Sequence, residues 1–224
     1  MYGKPTLGPR GRRGVLTAAT TACALLGTTL LTLDLTSSSE PPPVPKDAVR
    51  APARPSNPSV GERPRGERGT LTQSPPTRVE IPAIGLGTDV KRVALNTAGA
   101  IAMPSDADHT GWYTGSPSPG SQGNSILVGH LDSRSGPAAF YGLGAVEEGD
   151  RITIDRADGR TATYVVDSMT IWPKDDFPSQ RVYGPTPEPR LTLLTCADWD
   201  DGNETYRSNL IVNAHLKLVE GNAT

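Results

Sequence analysis

The chain has 224 residues, enough for one ordinary domain with extensions. Aromatic residues make up only 5%, while glycine (24) and proline (22) are abundant, a mix that suits turn-rich β structure or an unstructured segment better than a helical bundle. Residues 1–78 carry 11 basic and 5 acidic side chains and residues 79–224 carry 11 basic and 19 acidic; the second part is therefore an acidic, aromatic-poor domain that would repel a phosphate backbone, which argues against nucleic-acid binding.

Residues 1–13 form a basic N-terminus with Arg10, Arg12 and Arg13. An uncharged run, "GVLTAATTACALLGTTLLTL", follows from Gly14 to Leu33. As a helix it would span about 30 Å, close to the hydrocarbon thickness of a bilayer. We expect a transmembrane anchor over 14–35, with a cytoplasmic N-terminus and the remainder outside the cell, because basic residues stay on the cytoplasmic side. A cleaved signal peptide is the competing reading, but no Ala-x-Ala site follows the run. Cys23 reads as a small apolar residue of that helix. Residues 36–76 are rich in proline, serine and arginine and lack the apolar surface to offset the entropy of ordering, so they read as a disordered linker.

From Thr77 to Thr224 the texture changes to short apolar runs between turn residues. "RVEIPAIGL" opens with a strand, "GAIAMP" reads as a short one, and "NSILVGHLD" as a buried strand leaving near Gly129 and His130. "DRITIDRADGRTATYVVDSMTIW" reads as a hairpin turning at Asp158-Gly159. "RLTLLTC" and "SNLIVNAHLKL" are the last two strands, the second with strict apolar alternation at Leu210, Val212, Ala214, Leu216 and Leu218. Only "GPAAFYGLGAVEEG" resembles a helical turn. The fold class is all-β, a barrel or sandwich.

Candidate chemistry sits at strand ends. Cys196 closes an apolar run, where a rigid backbone can present a side chain to a cleft. A nucleophilic thiolate needs nearby positive charge, and "ADWDDG" after Cys196 supplies the opposite sign, so on local grounds the residue is either buried filler or a nucleophile activated from elsewhere. His130 is the best acid/base candidate of the three histidines; His109 lies in a polar loop and His215 on the polar face of a strand. Arg207 stands at the start of the strand after Cys196, so antiparallel pairing would bring the two to one end.

Together these residues resemble a sortase, the membrane-anchored cysteine transpeptidases of Gram-positive cell surfaces. "TLLTC" at Thr192–Cys196 matches the family's TLxTC signature, His130 after "ILVGH" matches its histidine, and Arg207 its arginine, in the family order. "GWYTGSPSPGSQGNSILVGHLDSRSGPAAFYGLGAVEEGDRITI" resembles the actinobacterial class F subgroup. The resemblance implies an eight-stranded β-barrel with short helices. It further implies that Cys196 attacks the Thr–Gly carbonyl of an LPxTG-like signal, that His130 serves as acid and then base, and that Arg207 holds the substrate backbone and oxyanion. Thr195 would add an oxyanion or substrate contact. The implied partners are LPxTG-bearing secreted proteins and a cell-wall precursor or other primary amine, or water, as acceptor; the membrane is engaged through the N-terminal helix. Asp198, Asp200, Asp201 and Glu204 do not reproduce a calcium-site arrangement, so no metal and no cofactor are expected.

Three other readings make distinct demands. A papain-like protease places its cysteine at a helix start ahead of its histidine, the reverse of the order here. An L,D-transpeptidase has histidine and glycine just before its cysteine, where this chain has Leu194 and Thr195. An anchored β-domain that only binds a wall polymer would not need Cys196 at all.

Overall fold

The computed structural model describes residues 42–43, 49–50 and 71–221. The chain divides into residues 1–40 and 41–224, and only the second unit falls within the described residues. The expected anchor over 14–35 and most of the expected linker lie outside them. Among the described residues no helix is long and apolar enough to cross a membrane.

Among the described residues there are eleven strands: β1 (Val49–Arg50), β2 (Pro76–Ile81), β3 (Leu86–Val93), β4 (Thr110–Tyr113), β5 (Gly123–Val128), β6 (Asp132–Ser133), β7 (Gly136–Pro137), β8 (Arg151–Arg156), β9 (Arg160–Pro173), β10 (Pro189–Asp200) and β11 (Thr205–Gly221). Short 3-10 turns cover Pro82–Ile84, Tyr141–Ala145 and Lys174–Asp176, and one helix, α1, covers Ser179–Tyr183. Nine strands form one sheet in the order β1-β9-β11-β10-β5-β4-β3-β2-β8, and β8 pairs back onto β9. Eight of them therefore close into a barrel, which removes the sheet's open edges. β1 adds in parallel to β9 at Thr170–Ile171, beyond the stretch that β8 occupies.

Alternation decides what the barrel encloses. Leu191, Leu193 and Ala197 of β10 point inward, with Leu210, Val212, Ala214 and Leu216 of β11, Ile152 and Ile154 of β8, and Tyr164 of β9. β5 is buried on both faces, as its unbroken "SILV" run requires. Its outward residues Ile126 and Val128 join Val93 in a second, smaller cluster outside the barrel, packed with Leu194, Ile101, Met103 and Tyr113.

Several sequence expectations need correction. β10 does not end at Cys196; it stays paired with β11 as far as Asp200↔Thr205. "GAIAMP" forms only a single bridge, Ile101 to Leu95, because the turn at Asn96–Ala100 leaves room for no more. The hairpin loop holds three residues, Ala157–Gly159, with Gly159 at φ 75°, a longer alternative to the two-residue turn. β4 and α1 were not foreseen: four residues and five residues are too short to show a period.

Residues 71–75, placed in the linker by composition, are packed on the barrel. Leu71 N–H donates to the Gly120 carbonyl (3.0 Å), and Ser74 N–H to Ser118 Oγ (2.9 Å). The buried guanidinium of Arg156 holds this strap. It donates to the carbonyls of Thr72 (2.7 Å) and Pro119 and pairs with Asp158 (2.9 Å), whose carboxyl it keeps below the usual range. Replacing it would leave the Pro119 carbonyl without its donor, the Thr72 carbonyl with only the Ser121 hydroxyl and Asp158 without its cation. Arg156→Met is expected to lower the unfolding free energy by about 3 kcal/mol, read from urea titration; an unchanged midpoint would refute the clamp.

Candidate active site

The site is built by two neighbouring parallel strands. β10 and β5 pair in register from Pro189↔Gly123 to Leu194↔Val128, and Gly129 N–H then donates to the Leu194 carbonyl (3.2 Å). His130 follows β5 two residues beyond Val128, and Cys196 lies on β10 two residues beyond Leu194. Cys196 has the parity of Leu194 and so faces outward, at the end of the small apolar cluster rather than inside the barrel. On the other side of β10, Cys196 pairs with Asn209 of β11, which in turn pairs with Trp172 of β9. One row across the sheet therefore reads Trp172, Asn209, Cys196, and His130 leaves the neighbouring strand at the same end.

Local packing explains the residues around this row. Gly129 precedes His130 because a Cβ there would lie 2.6 Å from the Phe140 ring. Phe140 N–H donates to the His130 carbonyl (2.9 Å), which fixes the backbone as it leaves β5. The Thr195 hydroxyl points inward, 2% exposed, and donates to the Gly129 carbonyl (2.8 Å). It ties the two strands together one residue before each reactive group.

His130 is half-buried, and its Nε2 lies 2.9 Å from the Pro104 carbonyl. A carbonyl can only accept, so Nε2 carries the hydrogen and Nδ1 is left for proton transfer. Cys196 is half-buried too. Burial pushes its thiol up, Lys174 opposes the shift, and Asp132 adds to it. Lys174 follows β9 directly, two residues beyond Trp172, so register rather than sequence proximity places it here.

Arg207 lies on β11 between Ser208 and Tyr206, the partners of Ala197 and Trp199, and so sits diagonally from Cys196. Its side chain is 62% exposed, and its Nε is 3.6 Å from Asp200 Oδ2. Asp200 is anchored by the Gly202 N–H and by Asn203 Nδ2, both at 3.0 Å, which lower its carboxyl below the usual range. The structure thus brings the backbones of Cys196, His130 and Arg207 to one end of the sheet. The side chains of His130 and Arg207 meet Pro104 and Asp200, not the sulfur. His215 and His109 lie elsewhere: His215 Nδ1 meets Asp167 (2.6 Å), which also takes Arg190 (2.5 Å), and His109 sits against Asp106 (2.9 Å).

Sequence reasoning missed Lys174, Asp132 and Tyr206. Asp132 opens β6 just after His130, and Tyr206 Oη donates to its Oδ2 at 2.5 Å. The signals were adjacency to His130 and Arg207, but neither tells which way a side chain turns. No group of three or more His, Cys, Asp or Glu side chains among the described residues is placed to hold a metal ion.

A cysteine carried outward on a closed barrel strand, with its histidine on the next parallel strand, is the arrangement of a β-barrel cysteine transpeptidase and not of a papain-like enzyme. The sortase-domain family model matches residues 79–217, and the chain belongs to the sortase family. Its fold is similar to sortase A of Listeria monocytogenes (TM-score 0.51, 18% identity, 68% of this chain and 93% of that one). It is similar also to sortase A of Corynebacterium diphtheriae (0.51, 24%, 67% and 65%) and to sortase C1 of Streptococcus agalactiae (0.50, 23%, 63% and 67%). No curated protein matches the chain significantly.

Two outcomes follow from this geometry. Site-resolved alkylation of Cys196 by iodoacetamide should keep accelerating above the pH at which free cysteine levels off, since burial raises the thiol. Lys174→Met should move the profile higher still, because it deletes the attraction; a wild-type profile at or below free cysteine would contradict this. Thr195→Val keeps the shape but leaves the Gly129 carbonyl buried without its donor, and should cost about 1–3 kcal/mol in urea unfolding.

Proposed function

We propose that this sortase cleaves an LPxTG-like sorting signal between Thr and Gly and transfers the acyl group from Cys196 to a primary amine, or to water, anchoring secreted proteins at the cell wall. The observation that carries the reading is the Cys196–His130 pair at the end of an outward apolar strip. The partly buried members of that strip, Leu194 with Ile101, Met103 and Tyr113, suit the Leu-Pro end of such a signal.

In the first half-reaction the Cys196 thiolate attacks the threonine carbonyl. The carbon–nitrogen bond breaks, and imidazolium His130 gives the Nδ1 proton to the leaving amine. In the second half-reaction neutral His130 takes a proton from the attacking nucleophile, and the electron pair of the carbon–sulfur bond returns to sulfur. The Arg207 guanidinium, held at Nε by Asp200, keeps its two terminal nitrogens for the substrate backbone and the oxyanion. Thr195 acts through position, because its hydroxyl is committed to Gly129. Burial raises the Cys196 thiol, so the thiolate that attacks is a minor form at neutral pH.

The N-terminal run and its three arginines support a single-pass membrane anchor with the catalytic domain outside the cell. The segment from Gly111 to Ile154 supports a class F-like subgroup. The test is mass spectrometry of the purified chain incubated with LPxTG peptides. A thioacyl adduct on Cys196, absent in Cys196→Ala, is expected, and His130→Ala should slow cleavage by about 10²–10⁴-fold. Folded, reduced protein that neither cleaves nor acquires an adduct with several sorting peptides would overturn the reading.

A further inference from the structure

β10 lies between β5 and β11 in the sheet. Adjacent strands are ~4.8 Å apart, so β5 and β11 are separated by roughly 10 Å with β10 in the gap. A direct hydrogen bond between the segment after β5 and the start of β11 must therefore cross over β10. The Tyr206 Oη to Asp132 Oδ2 bond does this, and it crosses just beyond Cys196. Both groups lie within electrostatic range of the thiol. The Trp199 ring stands edge-on to Tyr206 with centroids 5.0 Å apart, and it is 49% exposed.

Beside the site on the His130 side, the Asp132 carboxylate is exposed and braced by the Tyr206 hydroxyl. Among the described residues no lysine, arginine or histidine pairs with Asp132, and its Oδ1 makes no hydrogen bond. Arg207 is held by Asp200, and Lys174 reaches the thiol from the β9 side. An exposed carboxylate beside the thiol with no cation of its own is the chemistry that takes up an ammonium group.

We propose that Asp132, braced by Tyr206, is the binding site for the primary ammonium of the acceptor that resolves the acyl enzyme. This rests on the transpeptidase reading above and names how its second substrate is selected over water. The step balances as follows. The bound ammonium releases one proton to solvent past the exposed Asp132 carboxylate. The nitrogen lone pair then forms the carbon–nitrogen bond, the carbon–sulfur bond breaks with its pair on Sγ, and the second nitrogen proton goes to His130. Asp132 is a specificity residue here; it touches the acceptor and not the scissile carbonyl.

Two readouts on the full chain test it, with Cys196 followed by peptide-resolved mass spectrometry so that Cys23 does not contribute. The first needs no sorting signal: the rate of Cys196 modification by cationic aminoethyl methanethiosulfonate is divided by that of the neutral methyl reagent. The ratio cancels any change in thiolate fraction. Asp132→Asn should lower it by roughly two- to five-fold, the size of a single exposed ion contact, and Asp132→Glu should restore most of it. The second is the ratio of aminolysis to hydrolysis of an LPxTG peptide, with glycinamide or hydroxylamine as acceptor. The glycinamide ratio should fall in Asp132→Asn, while that for hydroxylamine, neutral near pH 7.5, should hold. If wild type cleaves peptide and Asp132→Asn, with wild-type circular dichroism, changes neither ratio, the ammonium site is wrong and the transpeptidase reading stands. If the reagent ratio falls but wild type cleaves no peptide, the ammonium site stands and the substrate assignment fails.

Discussion

The parallel pairing of β5 with β10 is the constraint on which the rest of this site depends. A closed barrel fixes the stagger of every strand, and the Leu194↔Val128 register fixes where each of these two strands leaves it. Shifting one strand by a single residue would turn either Cys196 or His130 into the core. The restraints nearest the site guard against such a slip: the Thr195–Gly129 bond, the Gly129 N–H to Leu194 bond, and the Phe140 ring that admits only glycine at position 129.

This rigidity is paired with a weakly activated thiol. Half-buried Cys196 sits where desolvation opposes ionisation, with Lys174 and Asp132 acting in opposite senses. The one cation that lowers the thiol, Lys174, follows β9, and Arg207 and His130 are carried on β11 and after β5. None is local to "LLTCADWD", whose own charges are negative. Whatever ionises this thiol therefore comes from strand neighbours, and it depends on the barrel being closed.

The same principle accounts for which residues could be read in advance. Cys196, His130 and Arg207 stand out because an apolar strand ending on a reactive residue is visible in one dimension, and because the sortase signature names them. Thr195 was visible as part of "TLLTC", but its parity with Leu193 and Ala197 turns its hydroxyl inward, away from the face that carries Cys196. Lys174 carries no sequence mark; only the Trp172↔Asn209↔Cys196 row brings it near. Asp198 takes φ 57°, a left-handed conformation aided by the bond from Ser208, and it lies where the strand was expected to stop but instead runs on to Asp200.

The sequence by itself determined the all-β class, most of the strands and the acidic character of the domain, because alternation, turn chemistry and composition are local properties of the chain; the candidate trio Cys196, His130 and Arg207 came from the resemblance of its motifs to the sortase signature. The tertiary structure alone decided that Cys196 faces outward while the Thr195 hydroxyl turns inward, that His130 Nε2 meets the Pro104 carbonyl, that residues 71–75 belong to the barrel, and that Asp132 meets Tyr206 near Cys196. Those facts depend on register between strands far apart in the chain, and register is set by the closure of the whole sheet.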